Sequence, residues 1–196
     1  IARERDGHSR QANVSQLRML WSYQFESTGT IEATPLVVGD VMFFSLPPAT
    51  VVALDVTSGK AIWTYTRTIP ADLPLCCGLV NRGLAMFGNA LFLGTLDGYL
   101  VAIDARTGRP RWEKLVADPG AGYTLTGAPL IAGRLVVVGT AGGEYGIRGF
   151  VDAYDPITGD RRWRFNTIPS PGDVGHDSWK NDAWKTGGGP TWVTGS

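Results

Sequence analysis

The chain contains two cysteines, Cys76 and Cys77, and they are adjacent. Neighbouring Cα atoms lie about 3.8 Å apart across a trans peptide, which is less than the usual span of about 4.4–6.8 Å between disulfide-linked Cα atoms. A bond between them would close a small strained ring and join no distant parts of the chain, so its entropic contribution to stability would be close to zero. The pair is therefore either two free thiols in a partly buried strand or a disulfide that serves through its surface or its chemistry.

A glycine-rich segment at residues 139–149 carries one carboxylate, Glu144. Backbone N–H groups exposed in such a segment, including those of Gly142 and Gly143, can hold an anionic or carbonyl oxygen. Glutamate supplies the hard oxygen ligand that Ca²⁺ and similar cations prefer. The alternative is an exposed loop with a solvated glutamate, and no strand–loop–helix context favours a nucleotide-binding glycine motif.

Three further side chains could line a site. Trp192 follows three glycines and a Pro-Thr pair; glycines let a backbone approach its neighbours closely, and an indole is a flat surface for stacking. Glu32 and Thr126 precede two similar segments, and both are predicted at the start of an innermost strand, in equivalent positions lining an axial channel. The alternative for both is a polar residue at a strand end.

A repeat in the sequence indicates the secondary structure that would hold these residues in place. Its three copies contain Asp55, Gly59 and Trp63; Asp104, Gly108 and Trp112; and Asp155, Gly159 and Trp163. The aspartates lie 49 and 51 residues apart, and a period near 50 residues is typical of propellers and solenoids. Trp21 resembles the end of an earlier copy.

Each period reads as four short strands bounded by Gly, Asn or Asp, which is one propeller blade. We expect the Asp and Gly of each copy to form a tight turn, and the repeat tryptophans to pack between neighbouring blades. Propellers need about 4–8 blades. The sequence therefore predicts that residues 1–196 are a single incomplete domain: an all-β partial propeller of three to four blades from a longer protein.

Composition excludes several classes of function. The chain is 43% hydrophobic and 18% charged, with a formal net charge of zero, so it has no basic surface for nucleic acid. No apolar run approaches the roughly 20 residues of a membrane-spanning helix. A soluble globular protein is expected.

Taken together, the chain resembles the pyrroloquinoline quinone (PQQ)-dependent alcohol dehydrogenases, the quinoprotein methanol and ethanol dehydrogenase family, from about residue 11 to residue 196. The resemblance rests on four ordered motifs: Cys76-Cys77-x-x-x-Asn81-Arg82-Gly83, Thr126-Gly127-Ala128-Pro129, Gly143-Glu144-x-Gly146-x-Arg148-Gly149 and Gly187-Gly188-Gly189-x-x-Trp192. It implies an eight-bladed propeller and oxidation of an alcohol by hydride transfer to metal-bound PQQ.

The resemblance also implies a cofactor site. A disulfide between Cys76 and Cys77 would form one face of a sandwich around the planar quinone, and Trp192 the other. The residues that the resemblance places at PQQ are Glu32, Cys76, Cys77, Arg82, Thr126, Gly142, Gly143 and Trp192, with Glu144 as a ligand of Ca²⁺ or a lanthanide. The family's catalytic Asp follows the Trp motif, so no catalytic residue is expected in this chain, which would be inactive alone.

Family resemblance further implies a periplasmic protein that passes electrons to a cytochrome c-type acceptor, and a disulfide also needs an oxidising compartment. Two alternatives remain open. One is a non-catalytic propeller that acts as an interaction module or an outer-membrane assembly scaffold, although such a protein has no evident use for Cys76, Cys77, Glu144 and Trp192. The other is a PQQ enzyme that oxidises sugars or aldehydes.

Overall fold

The computed structural model describes residues 14–26, 30–75 and 77–195. The described strands form three four-stranded antiparallel sheets, and in each sheet every strand pairs with its neighbours in sequence. This is the predicted succession of propeller blades. Within the described ranges no helix is long and apolar enough to cross a membrane.

The bounds of the strands follow the repeat. The first blade consists of β1 (Leu36–Val38), β2 (Val41–Leu46), β3 (Thr50–Asp55) and β4 (Ala61–Thr66). The second consists of β5 (Ala85–Phe87), β6 (Ala90–Gly94), β7 (Tyr99–Asp104) and β8 (Pro110–Leu115). The third consists of β9 (Leu130–Ala132), β10 (Leu135–Gly139), β11 (Phe150–Tyr154) and β12 (Arg161–Asn166).

Helical structure in the described part of the chain is restricted to short 3-10 turns outside the strands. These turns are Val14–Gln16, Pro119–Ala121, Gly143–Tyr145, His176–Ser178 and Ala183–Thr186. The last two lie in the long segment after β12, which leads to Trp192. Gly and Pro are unfavourable inside helices, so the absence of longer helices from the described residues agrees with the Gly- and Pro-rich composition.

The core lies between the blades. Side chains alternate between the two faces of a strand, so in β6 Leu91 and Leu93 pack against the first blade while Phe92 packs against the third. All residues of β6 are buried, whereas five of the six residues of β12 are exposed. The second blade is covered on both faces because it is the middle of the three described sheets.

The predicted packing of tryptophans between blades is confirmed for Trp21, Trp63 and Trp112. Each indole Nε1 donates to a backbone carbonyl of the next repeat, those of Val56, Ala105 and Pro156, over 2.8, 3.1 and 3.2 Å. Each ring covers the repeat glycine there, at Gly59, Gly108 and Gly159. Trp163 in β12 is 43% exposed, since no following blade is among the described residues.

The repeat aspartates form the predicted turns. Asp104 Oδ1 accepts hydrogen bonds from the backbone N–H groups of Arg106 and Thr107, both over 3.0 Å, and the N–H of Gly108 donates to the Asp104 carbonyl over 2.8 Å. The Arg111 guanidinium donates to Asp104 Oδ2 over 2.6 Å. This bond, together with the turn N–H groups, lowers the pKa of the Asp104 carboxyl from 3.8 to about 2.

We expect Gly108→Ala to destabilise the protein by about 2–4 kcal/mol, because the new Cβ adds left-handed strain and overpacking. Gly108 has φ +70°, and a Cβ there would lie 2.6 Å from Cε3 of Trp63. Gly88→Ala is the matched control: its φ is +58° with nothing within 4 Å, so strain alone should cost about 1–2 kcal/mol. Urea unfolding measures both, and equal losses would contradict a specific role for the tryptophan contact.

Acid should weaken the Asp104 turn. Because the folded-state pKa lies below the ordinary 3.8, the ionised carboxyl stabilises the fold above that pH, and this stabilisation is lost as pH falls through about 2. We expect the difference in free energy of unfolding between wild type and Asp104→Asn to shrink as pH is lowered from about 5 to about 3. Arg111→Met should make this pH dependence shallower, and a difference independent of pH would contradict the assignment.

Candidate functional site

Most of the predicted site residues line one pocket. Its volume is about 150 Å³, and its lining consists of Cys77, Arg82, Thr126, Ala141, Gly142, Glu144, Pro190 and Trp192. Six of the nine predicted residues are among them. Of the other three, Glu32 and Gly143 lie next to the lining and Cys76 lies outside the described residues.

The segment that carries Cys77 and Arg82 is irregular. The sequence predicted Glu32 and Thr126 at the start of an innermost strand, and this is wrong, because β1 begins only at Leu36 and β9 only at Leu130. Cys77 and Arg82 likewise precede their innermost strand, since β5 begins only at Ala85. The Asn81 side chain explains the difference: its Nδ2 donates to the Gly94 carbonyl over 3.0 Å and its Oδ1 accepts from the Gly83 N–H over 3.1 Å. The buried amide replaces strand pairing and holds the segment over the pocket.

Cys77 is an exposed residue at the pocket and is disulfide-bonded. A disulfide sulfur carries no titrating proton, so this side of the pocket is an uncharged, polarisable surface.

Arg82 joins three parts of the site. Its backbone N–H donates to the Thr126 carbonyl over 3.0 Å, and its Nε pairs with a carboxylate oxygen of Glu32 over 2.9 Å. Its guanidinium carbon lies 4.7 Å from the centroid of the Trp192 ring, within cation–π distance. Glu32 therefore reaches the pocket through Arg82, an arrangement that the sequence did not predict.

Thr126 is 5% exposed, and its hydroxyl has no hydrogen-bond partner among the described residues. A buried hydroxyl without a partner costs about 1–3 kcal/mol relative to a satisfied one. Since Thr126 lines the pocket, a ligand with an acceptor or donor at this wall would relieve that cost. Thr124, two residues earlier, is also buried and unpartnered but is not part of the lining.

Glu144 lies in the predicted glycine-rich loop, which connects β10 and β11 through the turn Gly143–Tyr145. Glycines with positive φ flank this turn, Gly142 at +111° and Gly146 at +66°. A Cβ at Gly142 would overlap the Gly122 carbonyl, and one at Gly143 would lie 3.0 Å from Cγ of Pro190. The Glu144 side chain is exposed. In the described part of the chain no three His, Cys, Asp or Glu residues form a cluster that could hold a metal.

Trp192 is the flat wall of the pocket and is 45% exposed. The backbone before it is fixed by Thr191, whose N–H donates to the Thr140 carbonyl over 2.8 Å and whose hydroxyl donates to the Phe150 carbonyl over 2.9 Å. The run of three glycines before Trp192 predicted close backbone approach, and this is confirmed at Gly189, whose carbonyl lies against Gly149. Nothing in the sequence singled out Thr191.

This arrangement suits a flat, anionic or carbonyl-rich ligand. One half-exposed indole offers a stacking face, one guanidinium offers planar hydrogen bonding to carboxylates, and one buried hydroxyl lacks a partner. The pocket presents a carboxylate, Glu144, at its edge, where it could contact a cation that also binds the ligand.

Comparisons with known proteins agree with this geometry. The family described as PQQ glucose/ethanol/alcohol dehydrogenase, beta-propeller domain, matches residues 9–196. A 1-butanol dehydrogenase (cytochrome c) of Thauera butanivorans is 46% identical over 164 residues, covering 82% of this chain and 23% of the relative. A lanthanide-dependent methanol dehydrogenase of Methylacidiphilum fumariolicum is 42% identical over 207 residues, covering 92% of this chain and 33% of the relative.

A solved structure gives the same result for the fold. The crystal structure of a quinohemoprotein alcohol dehydrogenase from Comamonas testosteroni superposes with a TM-score of 0.82 at 37% identity, over 93% of this chain and 30% of that chain. The chain thus spans about a quarter to a third of the length of the relatives it matches.

We expect Thr126→Val to leave the free energy of unfolding unchanged or to raise it by up to about 1 kcal/mol, because the hydroxyl that it removes makes no hydrogen bond in the protein. Thr124→Val is the matched control and should behave in the same way. Urea unfolding without ligand measures both. A loss of more than about 1 kcal/mol for Thr126→Val would mean that its hydroxyl already has a protein partner.

Proposed function

This chain belongs to the beta-propeller family of PQQ-dependent glucose/ethanol/alcohol dehydrogenases, and we propose that it supplies part of the cofactor site of an enzyme that oxidises alcohols. The main support for the proposal is that residues distant in the sequence meet at one pocket. Cys77, Arg82, Thr126, Glu144 and Trp192 come from four separate stretches of the chain, and all five line one pocket.

The residues of the pocket fit PQQ, a planar tricyclic quinone with three carboxylates. The unpartnered Thr126 hydroxyl offers a hydrogen bond to the ligand's edge. The Arg82 guanidinium can donate two parallel hydrogen bonds to one carboxylate. At Gly142 no side chain could be accommodated without moving the Gly122 carbonyl, so the backbone itself lines this wall. A non-catalytic scaffold has no need of this combination.

When bound, PQQ would supply the redox chemistry by accepting a hydride from the alcohol. The residues of this chain would bind the cofactor and orient it. Trp192 offers its ring as a stacking surface, and the Arg82 guanidinium that now lies over this ring would turn toward a carboxylate of the ligand. Glu32 would help to orient Arg82 through their ion pair.

For the opposite wall we propose that the disulfide partner of Cys77 is Cys76, the one other cysteine of the sequence. The disulfide-bonded state of Cys77 supports this. Because disulfides persist in oxidising compartments, we also propose a periplasmic location. Thiol titration of the unfolded, unreduced protein should find no free thiol.

For the metal we propose that Glu144 contributes a carboxylate ligand to Ca²⁺ or a lanthanide. Hard cations of both kinds take several oxygen ligands, so further ligands from the remainder of the full-length protein would be required. Bound beside the cofactor, the cation would act as a Lewis acid. Support comes from the exposed position of Glu144 at the pocket and from the lanthanide dependence of the methanol dehydrogenase relative.

The proposed substrate is a small alcohol, and the proposed electron acceptor of the full-length protein is a c-type cytochrome. The similarity to a 1-butanol dehydrogenase (cytochrome c) supports both. The general base that takes the alcohol proton is not assigned to any residue of this chain.

Titration of the full-length protein with PQQ, followed by tryptophan fluorescence, tests the proposal. We expect binding by wild type, about tenfold weaker binding by Thr126→Val because one hydrogen bond to the ligand is lost, and weaker binding by Cys77→Ser. Thr124→Val, whose hydroxyl does not line the pocket, should bind as wild type does.

Two results would contradict the proposal. If wild type does not bind PQQ with Ca²⁺ or a lanthanide present, the chain is better described as a propeller scaffold. If wild type binds while Thr126→Val and Cys77→Ser bind equally well, the cofactor lies elsewhere.

A further inference from the structure

Arg148 has contacts that the proposed cofactor site does not explain. It lies at the end of the glycine-rich loop, four residues after Glu144. Its Nε donates to the Ile168 carbonyl over 2.9 Å, and its Nη2 donates to the same carbonyl and to Ser170 Oγ. Its guanidinium carbon lies 4.8 Å from the centroid of the Trp184 ring. Among the described residues Arg148 has no carboxylate partner, so its contacts fix geometry and neutralise no charge.

The backbone of Arg148 is held as firmly as its side chain. Its N–H donates to Tyr123 Oη over 3.1 Å, and Tyr123 Oη donates back to the Arg148 carbonyl over 3.0 Å. One hydroxyl thus satisfies both polar groups of one residue. A buried backbone outside a sheet needs such partners.

Arg148 also lies where the loop of Glu144 meets the segment that leads to Trp192. It forms an isolated parallel bridge with Gly188, in which the Gly149 N–H donates to the Gly188 carbonyl over 2.7 Å and the Gly188 N–H donates to the Ile147 carbonyl over 2.9 Å. Gly188 belongs to the segment that leads to Trp192. The end of the Glu144 loop is therefore tied to the backbone that carries the stacking ring.

The loop between these anchors packs against Gly122, Pro190 and Thr186, but few hydrogen bonds fix its backbone. Its glycines permit many backbone conformations, and its turn is closed by one hydrogen bond, from the Tyr145 N–H to the Gly142 carbonyl over 3.0 Å. At the other end of the loop, Ala141 pairs with Thr124. The position of Glu144 thus depends on two fixed ends, and Arg148 is the side chain that fixes the second.

We propose that Arg148 is a positioning residue that holds Glu144 in place for the metal, an inference that rests on the proposed function. Residues that orient metal ligands from outside the coordination sphere change metal affinity by about 10–100-fold. Arg148 is not part of the pocket lining and would act on Glu144 through the loop backbone. Its loss should weaken the metal site more than it weakens the stacking of PQQ.

The test uses the full-length protein with Tb³⁺ as the probe, followed by tryptophan-sensitised luminescence. We expect Arg148→Met to weaken Tb³⁺ binding at least about tenfold, while the affinity for PQQ without metal changes by less than about threefold. Arg148→Lys keeps the charge but lacks the planar fork of donors, so it should weaken Tb³⁺ binding nearly as much. Glu144→Gln should abolish the signal, which identifies the site that the probe reports.

A matched control separates positioning from general stability. Arg67 is also partly buried, stacks on an aromatic ring, Tyr99, at 4.3 Å and makes several side-chain hydrogen bonds, but it joins the first two blades. Arg67→Lys should lower the urea midpoint without changing Tb³⁺ affinity. In the metal-free protein, hydrogen exchange of the amides at 143–147 should be faster in Arg148→Lys and Tyr123→Phe than in wild type and unchanged in Arg67→Lys.

The possible results distinguish a failure of the proposed function from a failure of the Arg148 proposal alone. If wild type binds neither Tb³⁺ nor PQQ, the proposed function fails and this inference fails with it. If wild type binds both and the Arg148 variants bind Tb³⁺ within twofold of wild type, the inference alone is overturned. Should Arg148→Met not fold, Arg148→Lys and Tyr123→Phe decide by the same measurements.

Discussion

The docking of an indole onto the repeat glycine of the next blade is the contact on which the rest of the structure depends. Trp63 covers Gly108 and donates to the Ala105 carbonyl, and the same contact recurs at the other two described interfaces. The glycine has no side chain and a positive φ, so the ring can lie directly on the turn. Because the contact repeats, each repeat packs on the next through the same pair of residue types.

The site follows from that arrangement. The segments that precede β1, β5 and β9 carry Glu32, Arg82 and Thr126, and they lie side by side. Thr34 bridges Gly83, the Arg82 N–H donates to the Thr126 carbonyl, and Glu32 pairs with Arg82. The segments that precede three consecutive blades thus build one wall, and the loop of Glu144 with the segment of Trp192 builds the other.

The sequence predicted much of this. The period near 50 residues located the blades, and the Asp and Gly of each copy located the turns. These features are local, because a turn or a strand needs residues a few positions apart. Glu144 and Trp192 stood out because they break the repeat.

Contacts between distant segments could not be predicted in the same way. The irregular path of the chain before β5 depends on the Asn81 amide reaching Gly94, and the clasp of Arg148 by Tyr123 joins residues 25 positions apart. The cation–π contact of Arg82 with Trp192 joins the segment before β5 to the segment after β12. Such pairs carry no spacing signal, and the repeat itself gives no reason to select them.

The most direct test is a crystal structure of the full-length protein with PQQ bound. We predict that the quinone lies flat between Cys77 and the Trp192 ring, with the Arg82 guanidinium moved from the indole to a carboxylate of the ligand. A structure in which PQQ binds away from this pocket, or in which the Trp192 ring turns outward from Cys77, would contradict it.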